Sequence, residues 1–305
     1  VNRVVWTKEE IMMNKGFSAA AILVLAAAFN GGLAHADELA DQGRALLESH
    51  RDAVVTISIV MKQQFSSGGM SQDDESKSEV TGTVIDATGL TVVALSETDP
   101  AALIQRLMGA QMQGMNITSE ITDAKILMRD GSEVPVRVVL RDKDLDLAFL
   151  RPTEELDEPM AFVSLDETNE ASLLDQLFVI NRLGRVAGRA HAVAIERIES
   201  VVERPRRFYI PGKDPTNSGL GCPAFNTDGS LVGFMVLRAV GSGGGGGMMS
   251  RMTGMQDGVT AIILPAEDVA EIAAQAPTAE EAAAEDAATN EAEAGDDAAE
   301  EEPAE

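Results

Sequence analysis

Two segments of this 305-residue chain gather the side chains that could do covalent chemistry. The first, Ala124–Pro152, reads AKILMRDGSEVPVRVVLRDKDLDLAFLRP and sets Asp146 in an apolar alternation. The second, Asn217–Phe234, reads NSGLGCPAFNTDGSLVGF and carries Ser218 and the only cysteine, Cys222, in a glycine-rich turn. A serine in such a turn attacks a carbonyl only when a base of near-neutral pKa sits within hydrogen-bond reach and a carboxylate fixes that base's tautomer. The chain has three histidines, His35, His50 and His191. His35 lies in an N-terminal segment read below as a leader, His50 ends an amphipathic run, and His191 falls in a strand-like segment. Each reads as a surface or packing histidine rather than a base. No cationic neighbour in sequence lowers the pKa of Cys222, so it reads as a small buried thiol and not as a nucleophile.

Both segments resemble the trypsin-like domain of HtrA/Deg proteases. In that family a hairpin of the form DG…ARVV…D…DLALL carries the catalytic aspartate, and GNSGGP…N…G…VG carries the catalytic serine. The resemblance places Asp146 at the aspartate. Counting back without a gap from Pro223-Ala224-Phe225-Asn226, which matches the family's PLxN, puts the nucleophile's place on Leu220, which cannot attack a carbonyl. The family's histidine follows a strand of the form GxVIDxxGxILTNxH. Here Gly82–Ser96 reads GTVIDATGLTVVALS, so Ser96 stands where the imidazole belongs. The resemblance therefore implies a trypsin-like protein with no intact triad, its equivalent positions being Ser96, Asp146 and Leu220. The alternative register takes Asn217-Ser218-Gly219 as the family's NSG, making Ser218 the nucleophile of an active serine endopeptidase. That register inserts two residues into the turn whose N–H groups form the oxyanion hole.

The elements that must position these residues read as strands. Alternating runs fall at 53–60, 79–85, 125–128, 133–140, 147–150, 177–180, 192–198, 231–237 and 259–263. Asp130-Gly131 and Asp228-Gly229 mark hairpin turns between such runs. The pattern predicts an all-β fold of two antiparallel barrels of chymotrypsin type, over 53–155 and 160–275, with a helix over 37–52 before them and a closing helix over 266–274. HtrA/Deg proteins usually continue into a PDZ domain, whereas an acidic tail follows here.

Two stretches depart from the family as insertions. The first, 97–123, holds Ile104, Met108, Met112 and Met115 on one expected helical face. The second, 241–257, runs through five consecutive glycines into Met248, Met249, Met252 and Met255. These methionines are expected to border the old substrate cleft and to present a flexible apolar surface to a polypeptide partner or unfolded segment. Thioether clusters also suit Cu(I), but no Cys or His interleaves with them, so neither a metal nor another cofactor is expected.

Met13-Asn14-Lys15, an apolar run over 19–29 and Ala34-His35-Ala36 read as a secretory signal cleaved after Ala36, with Met13 as the expected start. The apolar run is too short for a stable membrane anchor, so the product is expected in the periplasm or outside the cell. Residues 276–305 hold twelve acidic residues and no basic one, and are expected to be a disordered tail. They account for −12 of the formal charge of −26, and the remaining −14 still opposes nucleic-acid binding.

Overall fold

The computed structural model describes residues 38–67, 70–108, 115–212, 219–239, 259–282 and 284. Residues 38–50 form helix α1. The chain divides into two compact units after Ala45, inside that helix. Among the described residues of the first unit, Arg44 pairs with Asp41 on an exposed helical face. The second unit, Leu46–Glu305, holds both barrels.

The first barrel is built from β1 (Val54–Ser67), β2 (Met70–Val84), β3 (Thr91–Ala94), β4 (Met115–Leu127), β5 (Glu133–Asp142) and β6 (Leu147–Pro152). It closes in the order β1-β2-β3-β6-β5-β4. The second is built from β7 (Gln176–Arg182), β8 (His191–Val202), β9 (Phe208–Pro211), β10 (Pro223–Asn226), β11 (Leu231–Ala239) and β12 (Val259–Pro265). It closes in the order β10-β11-β12-β9-β8-β7. Every named strand pair is antiparallel, as the alternating runs and hairpin turns predict. This is a chymotrypsin-like double barrel. Ile57, Ile59, Val84, Ile126 and Leu150 fill the first core, and Leu177, Val179, Ile198, Tyr209 and Ile263 the second. Each such side chain taken from water contributes about 2–3 kcal/mol. Closure also removes free sheet edges within each barrel.

The single helical face expected within 97–123 does not form. Two short helices, α2 (Leu95–Thr98) and α3 (Pro100–Met108), follow β3, and Met115 already belongs to β4. Ile104 and Met115 therefore do not share a helical face. The reason is local: Gly109 and Gly114 interrupt the helical pattern, and the β-branched residues Ile117, Thr118, Ile121 and Thr122 suit a strand. That strand pairs with an extension of β1, from Met61↔Ile121 to Ser67↔Met115, beyond a bulge at Val60/Met61. On its other side the same extension pairs with β2 out to Ser67↔Met70. The result is a three-stranded arm projecting from the first barrel. Helix α3 braces it, with the Ala101 N–H donating to Ser119 Oγ at 3.2 Å and Gln105 Nε2 donating to the Ile117 carbonyl at 2.6 Å. Met112 and the loop over 241–257, with Met248, Met249, Met252 and Met255, lie outside the described residues.

Helix α4 (Ala266–Ala273) closes the second barrel. The acidic segment beyond it was expected without structure, and its first residues depart from that. The Thr278 N–H and hydroxyl each donate to Glu281 Oε2 at 2.9 Å, while the Glu281 N–H donates to Thr278 Oγ1 at 3.2 Å. This reciprocal capping box is a T-x-x-E signature that the count of acidic residues obscures. Arg151 Nε donates to the Pro277 carbonyl at 2.6 Å, and Ala282 is buried, so the turn is fixed to the first barrel. Among the described residues no helix is long and apolar enough to cross a membrane.

Candidate functional site

Strand pairing brings Ser96 to Asp146. β3 pairs with β6 through Ala94↔Leu147, so the residues just after β3 lie beside the residue just before β6. The Leu95 N–H donates to the Asp146 carbonyl at 2.9 Å and starts α2 there. Asp146 has φ of 60°, a left-handed conformation that aspartate tolerates better than most side chains. Its carboxylate is buried and points inward. The Ser96 N–H donates to Oδ1 at 2.7 Å, the Ser96 hydroxyl to Oδ2 at 3.0 Å, and the Leu237 N–H to Oδ2 at 2.7 Å. Leu237 belongs to β11, so this one carboxylate ties the first barrel to the second.

Glu97, the next residue along α2, is a second carboxyl group at this site. Its Oε2 is buried without a hydrogen-bond partner. Burial, and secondly the charge of Asp146, push its pKa up to about 8. Burial also raises Asp146, to about 6, against the opposing pull of the Leu237 and Ser96 N–H groups, the Ser96 hydroxyl and Arg106. At neutral pH the site therefore holds a largely protonated glutamic acid next to an ionised aspartate. Sequence reasoning missed Glu97, because it stands first in a presumed loop and no periodicity marks it as buried. The Leu237 N–H was also missed, since a backbone donor leaves no trace in residue type.

The turn that carries Leu220 is held against the same elements. The Thr83 hydroxyl donates to the Gly221 carbonyl at 2.7 Å, and the Gly221 N–H donates to the Met235 carbonyl at 2.7 Å, two residues before Leu237 on β11. Gly221 has φ of 74°, and a Cβ there would come within 2.4 Å of the Thr81 carbonyl oxygen. Only glycine fits so close an approach of backbone to backbone. Leu220 itself is partly buried, and Ser218 lies outside the described residues. Cys222 is fully buried, its thiol donating to Asn181 Oδ1 at 3.3 Å. Burial and then the neighbouring Glu97 charge hold its pKa well above the usual thiol range. A water-soluble alkylating reagent is therefore expected to leave Cys222 unmodified in the native chain and to label it fully after denaturation. Native-state labelling, read by mass spectrometry, would show that the turn opens.

The described histidines are engaged elsewhere. His50 stacks on Phe225 with ring centroids 4.8 Å apart, and burial lowers its pKa. His191 contacts Arg182 and the Arg51 carbonyl. Beside Ser96 and Asp146 opens a cleft of about 310 Å³, walled by α3 and lined by Asp99, Leu103, Arg106 and Lys143 among others. Met108 ends the helix on that wall, while Met115 opens the arm strand. No cluster of three or more His, Cys, Asp or Glu side chains among the described residues is arranged to hold a metal ion.

The two closed barrels, joined through Asp146, give the chain its class, a chymotrypsin-like double barrel. Among solved structures the chain is similar to the MamO protease domain from Magnetospirillum magneticum, in apo form, at 14% identity and a TM-score of 0.42. The match covers 73% of this chain and 96% of that domain. No protein-family model and no curated protein matches the chain.

Proposed function

We propose that this chain is an exported trypsin-like protein of HtrA/Deg type that has lost peptidase activity and holds an extended or apolar polypeptide segment in its cleft. The observation that carries this reading is the environment of Asp146. Its oxygens accept from the Ser96 N–H, the Ser96 hydroxyl and the Leu237 N–H, so the carboxylate that would orient a histidine is occupied by a serine. A hydroxyl with an ordinary alcohol pKa cannot replace imidazole as a base at neutral pH. The leader-like residues before Asp37 support export to the periplasm or beyond, and the methionine-rich sequences over 108–115 and 248–255 suit an apolar polypeptide partner.

Mature protein, from Asp37 onward, is expected neither to cleave an unfolded casein-like substrate nor to react with a fluorophosphonate probe. Stoichiometric labelling at Ser218 would overturn the inactive reading and establish a serine endopeptidase. Immobilised mature protein is expected to retain the same unfolded substrate uncut. Deleting residues 243–255 should weaken that retention while leaving the thermal transition of the barrels in place, and unchanged retention would remove the loop from the binding surface.

A further inference from the structure

In a chain of net charge −26, one cleft is lined by three guanidinium groups. It has a volume of about 250 Å³ and lies where the start of β1 and the β4–β5 turn of the first barrel meet the end of β7 in the second. Its charged groups are Arg51, Arg129, Arg182, Asp52 and Asp130, and its remaining walls are apolar residues of β1 and the β4 end. Asp52 lies 3.3 Å from Arg129 and 4.0 Å from Arg51. Asp130 is engaged by its own turn, accepting from the Ser132 N–H at 2.9 Å and the Ser132 hydroxyl at 2.7 Å.

Arg182 is the unusual member. It is partly buried, yet no carboxylate of the described residues lies within ion-pair distance of it. Its Nε donates to Thr56 Oγ1 at 3.3 Å, and its Nη1 lies 2.7 Å from His191 Nε2. That same Nε2 lies 2.7 Å from the Arg51 carbonyl oxygen. One ring nitrogen cannot accept from the guanidinium and donate to the carbonyl at once. In the tautomer whose Nε2 donates to the carbonyl, the only ring acceptor left to Arg182 Nη1 is Nδ1 at a long 3.4 Å, while Nε2–H faces the guanidinium at 2.7 Å. Arg51 Nε is buried with no hydrogen-bond partner. Unmet donors and an uncompensated half-buried cation at one place are costly unless something supplies the missing acceptor.

We propose that this inter-barrel cleft binds a carboxylate borne on a small apolar body, with Arg182 and Arg51 donating to its two oxygens and Arg129 completing the charge. Glu48 also pairs with Arg51 at 3.1 Å, so among the described residues Arg51 and Arg129 each have a carboxylate and Arg182 alone does not; one unpaired cation beside a neutral His191 matches a monoanion better than a dianion. The apolar walls accept the body of the ligand. With Arg182 turned to the carboxylate, His191 Nε2 is free to donate to the Arg51 carbonyl, which removes the conflict over that nitrogen. Planar guanidinium forks suit the bidentate geometry of a carboxylate.

The histidines supply the readout. The full chain is titrated with butyrate, with N-acetyl-leucine as a mimic of a free peptide C-terminus, and with inorganic phosphate, each against chloride at matched ionic strength, while the imidazole resonances are followed by NMR. A saturable shift of the His191 signals with either carboxylate is expected, and the tighter of the two identifies a free acid or a chain terminus as the source. Arg182→Met should weaken that binding about tenfold or more, the loss of a charge-assisted pair. Arg182→Lys should fall between, since a point charge lacks the fork. If Arg182→Met does not fold, the exposed Arg129→Ala is expected to weaken binding about threefold, from a peripheral charge. No saturable His191 shift above the chloride control, or unchanged affinity in the folded variants, overturns the site. Phosphate binding as tightly as the carboxylates overturns the monoanion assignment.

Discussion

Asp146→Ala is expected to lower the unfolding free energy by about 4 kcal/mol, read as a fall in urea midpoint at unchanged m-value. The substitution strands the Ser96 and Leu237 N–H groups, whose only described acceptor at this place is the carboxylate. A buried donor left unmet costs about 1–3 kcal/mol. The Ser96 hydroxyl can rotate to another acceptor and adds less. Alanine also meets the left-handed backbone at φ of 60° with no side chain to support it. Asp146→Asn separates these effects. Asparagine tolerates that backbone, and its amide oxygen can serve one N–H, but its NH₂ then confronts the other, so a loss of about 2 kcal/mol is expected. A midpoint for Asp146→Ala indistinguishable from the parent chain would mean that the carboxylate does not join the barrels.

Stability is expected to fall as pH rises from about 6 to about 8, and Glu97→Gln should abolish that fall. The Glu97 carboxyl is raised from 4.5 to about 8 in the folded chain, so across that interval the folded state keeps a proton that the unfolded state releases. Its contribution is complete below pH 4.5 and lost as pH passes through 8. The full shift corresponds to at most about 5 kcal/mol, lost at about 1.4 kcal/mol per pH unit from 4.5 upward, so that about 2 kcal/mol of it falls between pH 6 and 8. Asp146 acts in the same direction but lower, between 3.8 and about 6. His50 and His191 are both held below 6.5, so their opposing gain of stability with rising pH ends near 6.5 and leaves the upper part of the interval to Glu97. Toward acid the opposite trend enters through carboxylates such as Glu79, which the Arg189 hydrogen bond holds below its usual value and whose stabilisation disappears on protonation. Thermal midpoints across this range provide the check. A parent chain whose midpoint is flat between pH 6 and 8, or a Glu97→Gln variant that keeps the slope, would place Glu97 in water rather than in the site.

The barrels were legible because their strands have one wet face or a wholly apolar one. Each of the nine alternating runs lies on an observed strand, overhanging it by no more than a residue, although β1, β2 and β4 extend well beyond the runs that marked them. The arm was not legible. In Lys62–Ser67 and Ser71–Ser78 polar residues occupy both faces, so the period-two signal that marks a strand is absent even though the backbone pairs continuously. Short strands such as β3 and β10 escaped for the opposite reason: they are buried on both faces and too brief to show alternation. At the site, Ser96 and Asp146 could be paired from motif spacing, since each is fixed by a strand end. Glu97 could not, because its burial depends on how α2 turns against the second barrel. The approach of Arg182 to Arg51 depends on the docking of two barrels, which no local pattern encodes.

The arm gives the first barrel an uneven resistance to opening. Beyond the bulge at Val60/Met61, Met61 is the only described residue of β1 that is buried, and β2 is exposed from Ser71 to Ser78. Little apolar surface therefore holds the outer ladder, and its hydrogen bonds exchange readily with water. The inner half of the same strand, Val54–Ile59, is sealed in the core. A single β1 strand thus belongs to two cooperative units that part at the bulge: the outer one can unzip and reform many times while the inner one stays closed, so amide exchange along β1 should change abruptly at that point rather than fade toward the tip.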